Sequence, residues 1–113
     1  MKVIYYKKER DDLITPTFGY TDYCFYVPDK SIVLLKHTPI MWDKPHYKAD
    51  KDPKLLEEAN HVVQREVQRK LFMSFSPPKI FDYDDSRLNA ILEGPEDVLG
   101  KGIEELLKKV FKK

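Results

Sequence analysis

The sequence predicts an α+β domain: a small, mainly antiparallel sheet of three to four strands, with a long central helix and a C-terminal helix packed on one face. Three observations predict it. Residues 52–75 carry Leu55, Leu56, Ala59, Val62, Val63, Val67 and Leu71 at the three-and-four spacing of a helical stripe. Runs of β-branched and aromatic residues precede them at 2–7, 18–27 and 32–37. A second helical period, Leu99, Ile103, Leu106, Leu107 and Val110, closes the sequence. The 113 residues are read as one domain, 1–113, with enough chain for a modest single core.

The first strand is expected at Lys2–Lys7 (KVIYYK), ahead of the wholly charged loop 8–12. The second, Phe18–Val27, puts Tyr20, Asp22, Cys24 and Tyr26 on one face and Tyr23, Phe25 and Val27 on the other. Both sets are partly apolar, so alternation does not choose the buried face. Pro28-Asp29-Lys30-Ser31 has turn chemistry and leads into Ile32–His37, giving a hairpin. Residues 38–51 contain two prolines and no sustained period, and are read as a long loop anchored by Ile40, Met41 and Trp42. Asp52 is expected to cap the central helix, with Pro53 in its first turn and Ser76-Pro77-Pro78 ending it. Lys79–Tyr83 reads as a fourth strand, and Asp85 or Ser86 as the cap of a short helix through Glu93, closed by Gly94. In the last helix Glu96 and Asp97 suit the positive end, and Lys108, Lys109 and Lys112 the negative end. Gly100 and Gly102 each weaken it by about 1 kcal/mol relative to alanine, so a kink or break is expected there.

Hydrophobic content of 42% and charged content of 35% place the chain among globular proteins. No apolar run approaches the ~18 residues of a membrane span, the first residues (MKVIYYKKERDD) lack a secretory signal's apolar core, and Cys24 is the sole cysteine. A cytoplasmic location without membrane association is expected. Asparagine and glutamine are scarce and Lys, Glu and Asp plentiful, a thermophile-like balance. The net charge of +1 gives no general attraction to nucleic acid, but charge is segregated: residues 1–10 and 101–113 are basic and 79–97 acidic. Basic ends against the acidic segment would favour self-association; solvated faces are the plainer reading.

No glycine-rich phosphate loop, nucleophile elbow or cysteine cluster is present, so no catalytic residue, cofactor or metal site is assigned. Glu58 and His61 share one helix face, but carboxylate-bridged metal sites need a second such pair, and a surface histidine is the simpler account. Asp82, Asp84 and Asp85 could gather a divalent cation for a metal-dependent hydrolase or nuclease; a helix cap plus exposed loop or edge is the stronger reading. Cys24 with His37 across the hairpin has the chemistry of a nucleophile and base, against the commoner buried thiol.

The expected function is that of a non-catalytic binding or regulatory module acting through protein–protein contacts as a homodimer. The candidate interface residues are Trp42, in the long loop, and Phe72, Met73 and Phe75, because the end of the central helix is apolar on more than one face. The alternative is a nucleic-acid-binding sheet face made of Lys7, Lys8, Tyr20, Tyr23, Phe25 and Lys36.

Overall fold

The computed structural model describes residues 1–10, 20–38, 44–68 and 78–111. Its chain order is β1 (Lys2–Arg10), β2 (Tyr20–Val27), β3 (Ile32–Thr38), β4 (His46–Asp50), α1 (Pro53–Gln68), β5 (Lys79–Asp82), α2 (Asp85–Glu93) and α3 (Glu96–Phe111). The five strands form one antiparallel sheet in the order β4-β3-β2-β1-β5. The expected three to four strands are therefore five. The extra one, β4, lies inside the stretch read as a loop. Its alternation of His46, Lys48 and Asp50 with Tyr47 and Ala49 is a period of two, masked by prolines before and after it.

The helices do not share one face. Strand parity sends Ile4, Tyr6, Cys24, Tyr26 and Val33 to one side, where they pack with Ala59, Leu55, Leu56, Val62 and Val63 of α1. Val3, Tyr5, Phe25, Val27, Ile32 and Leu34 go to the other side and meet Leu88 and Ile91 of α2 and Leu99, Ile103, Leu106, Leu107 and Val110 of α3. Aromatic and β-branched residues at both parities of β1 and β2 have this cause: the strands are covered twice. The hairpin follows the expected turn. One 3-10 turn at Pro28–Lys30 ends at Ser31, whose φ of 48° is left-handed.

Local chemistry fixes the ends. The Lys54 N–H donates to Asp52 Oδ1 at 3.1 Å, as expected of an N-cap. Residues 69–75 of the expected central helix lie outside the described residues, as do Trp42, Phe72, Met73 and Phe75. The cap of α2 is Asp84, one residue earlier than expected, accepting from the N–H groups of Ser86 and Arg87. The helix ends before Gly94, which is extended, not left-handed. α3 runs unbroken through both glycines. A Cβ on Gly102 would come within 2.5 Å of Ile91 and one on Gly100 within 3.2 Å of Tyr47, so these glycines admit close neighbours without breaking the helix.

Candidate interaction groove

Parity also decides what lies at the rim of the sheet. Register aligns Lys7, Tyr23, Lys36 and Tyr47 in one row across β1 to β4, on the side covered by α3. The next row inward on that side, Tyr5, Phe25, Leu34 and Ala49, belongs to the core. The outer row is half-covered. Glu104 of α3 joins its far end: the Tyr47 hydroxyl donates to Glu104 Oε1, and Lys36 Nζ approaches the same oxygen at 2.6 Å. Gly100, one helical turn before Glu104, leaves room for the Tyr47 ring.

The electrostatics follow from this cluster. Burial raises the Tyr47 hydroxyl, and the Glu104 carboxylate beside it adds to the effect, to about 12. For Glu104, partial burial acts upward, but the Lys36 ammonium and the Tyr47 hydroxyl outweigh it and hold the carboxyl below 4.5. Lys36 lies 6.0 Å from the Tyr23 ring centre. The Phe111 ring meets Tyr23 and Tyr5 edge-on at 6.3 and 6.0 Å, yet is 60% exposed. Tyr23, Lys36, Pro45, Leu107, Lys108 and Phe111 thus line an open groove of about 410 Å³, bounded by Glu104. Two aromatic edges, an aliphatic floor and two cations can hold an apolar side chain that has a carboxylate nearby.

The opposite side carries a matching row of Asp22, His37 and His46. Asp22 is only 5% exposed, and its Oδ1 is hydrogen-bonded to His37 Nδ1. The His46 ring stacks on His37 at 6.5 Å. A buried carboxylate on Nδ1 fixes the imidazole's orientation. No group of three or more metal-ligating side chains suited to an ion occurs among the described residues. Register sets His37 opposite Asp22 and Cys24 opposite Leu35, so His37's ring is oriented by Asp22, which sequence reasoning had not paired with it.

The six residues of the expected nucleic-acid face divide. Lys7, Tyr23 and Lys36 share the rim row. Phe25 is fully buried under α3 and presents no ring face. The side chains of Lys8 and Tyr20 lie outside the described ones. The acidic candidates are parted too: Asp84 caps α2, Asp85 binds the Met1 ammonium at 2.5 Å, and Asp82 lies on β5. His61 faces solvent 3.7 Å from Glu57. Sequence reasoning missed Tyr47, Glu104 and Phe111 at the groove. The period-two run at 46–50 was the available signal for Tyr47; Glu104 and Phe111 need the α3 contact to stand out. Comparison of the chain with protein-family models, with curated proteins and with solved structures returns no match.

Proposed function

We propose that the chain is a non-catalytic binding module that acts through protein–protein contact and works as a homodimer. The observation supporting contact is Phe111, a large ring 60% exposed at the mouth of the α3 groove beside Tyr23, Lys36 and Lys108. Large aromatic side chains are enriched at the centres of protein interfaces. The partner contact is an apolar side chain close to Asp or Glu, the first against Phe111 and Tyr23, the second against Lys108.

Wild-type and Phe111→Lys proteins, immobilised and exposed to host lysate, test this. The expected result is a partner retained by wild type, lost by Phe111→Lys and recovered by Phe111→Leu. Equal retention by all three counts against the groove. Light scattering over a concentration series tests the dimer, and a monomer throughout removes it.

The Lys7-Tyr23-Lys36 row supports a second reading, a module stacking single-stranded nucleic acid. Oligonucleotide binding that weakens steeply with salt would favour it, and no binding at low salt would eliminate it.

A further inference from the structure

The backbone of β5 states which of its groups face outward. The Tyr83 N–H donates to the Met1 carbonyl and the Met1 ammonium to the Tyr83 carbonyl, each at 2.9 Å. That reciprocal pair sets the phase of the β1–β5 ladder. Val3 with Phe81 and Tyr5 with Lys79 are the hydrogen-bonded pairs; Lys2 with Asp82 and Ile4 with Ile80 are the alternate, non-bonded pairs. Residues in the alternate positions turn their N–H and C=O away from the neighbouring strand. Ile80 and Asp82 therefore address the outer edge of the sheet, where β5 is the last strand among the described residues. The Asp82 carbonyl is already met by Lys109 Nζ at 3.3 Å. Ile80, 47% exposed, stands on the side that also holds buried Ile4.

We infer that β5 pairs antiparallel with β5 of a second copy, about a two-fold axis at Ile80. This rests on the homodimer reading and names its surface. A two-fold axis perpendicular to the sheet keeps the two faces continuous, so facing residues must have the same parity. With Ile80 opposite Ile80, each N–H donates to the other carbonyl. The Asp82 N–H then meets the carbonyl of Pro78 in the second copy. Proline has no N–H to return, and the carbonyl left without that donor is the one Lys109 holds. The two Ile80 side chains cover each other, and Lys79 stands opposite Phe81. Centring the axis on Phe81 instead sets Ile80 against Asp82 and asks the occupied Asp82 carbonyl to accept again. The other edge, β4, bears Lys48 paired with Asp50 at 3.0 Å, and charged side chains along an edge oppose self-pairing. A four-residue edge falls short of a standard interface, so the dimer is weak and concentration-dependent.

Ile80→Cys tests the register. Paired residues at this ladder position have Cα atoms about 5.5 Å apart, inside the range a disulfide spans. Two Asp82 Cα atoms would lie about 14 Å apart along the paired strands, beyond that range. Under oxidised glutathione, Ile80→Cys should form a covalent dimer at least about tenfold faster than Asp82→Cys; buried Cys24 does not compete. Sedimentation of Ile80→Lys should show association about tenfold weaker, with an unchanged circular dichroism spectrum because the position is half-exposed already. A wild-type dimer that Ile80→Lys leaves intact, with no preference for linkage at 80, overturns the β5 edge and leaves the dimer to another surface. A wild-type monomer at every concentration, with no linkage, overturns both.

Discussion

Glu104 concentrates the chemistry of the groove in one side chain. It accepts from Tyr47 and pairs with Lys36, and its carboxyl is held below 4.5 while Tyr47 is raised to about 12. The two shifts act at opposite ends of the pH scale. A depressed carboxyl contributes stability that is present above pH 4.5 and lost as pH falls through its folded value. A raised phenol contributes stability that is present below pH 10 and lost as pH rises toward 12. Glu104→Gln should thus shrink both the acid and the alkaline limbs of the stability curve, measured by urea unfolding across pH. Asp50, held low by Lys48, and Tyr5, raised by burial to about 12, keep part of each limb. Unchanged limbs would show that Glu104 does not couple these groups. Little of this was legible in sequence. Tyr23 and Lys36 stood out as an aromatic and a cation, but Glu104 looked like any acid on the polar face of a helix.

At the scale of elements, period and turn chemistry carried furthest where one contact partner sufficed. The hairpin at 28–31 and the stripe from Leu55 to Val63 need only a neighbour in sequence or one apolar surface. The faces of β2 could not be ranked, because the answer required a helix on each side. Gly102 shows the same limit. Helix propensity marks it as a weak point, whereas its place is against Ile91 of α2, with no room for a Cβ. Gly102→Ala gains about 1 kcal/mol of propensity but incurs overpacking of about 1–3 kcal/mol against a buried, stiff Ile91, and should destabilise on balance. Combined with Ile91→Ala the cost should fall below the sum of the single changes by about 1 kcal/mol, because the new methyl occupies vacated space. Additive costs in thermal unfolding would contradict the contact.

Over the whole molecule, the sheet is a wall between two apolar compartments, with Phe25 and Leu34 on one side and Cys24 and Val33 on the other, all fully buried. The fold brings the acidic stretch of the sequence into contact with both basic ends at single points. The Met1 ammonium meets Asp85, Arg87 approaches Glu105 at 3.1 Å, and Lys109 reaches the Asp82 carbonyl. The central strands should open last. Amide exchange is expected to be slowest in β2, covered on both faces and paired on both edges, and faster at Ile80 than at Phe81 in dilute protein. Uniform protection along β5 in dilute protein would contradict the ladder phase.

The two margins of the sheet are unlike: β4 bears the ion pair of Lys48 and Asp50, and β5 bears Ile80 with one carbonyl covered by Lys109. That difference limits growth. Strands joined through unlike margins add head to tail without end, as fibres do, whereas joining like to like at one margin consumes the available edge and stops at two copies. The charged margin of β4 would then be what keeps an edge-to-edge assembly finite.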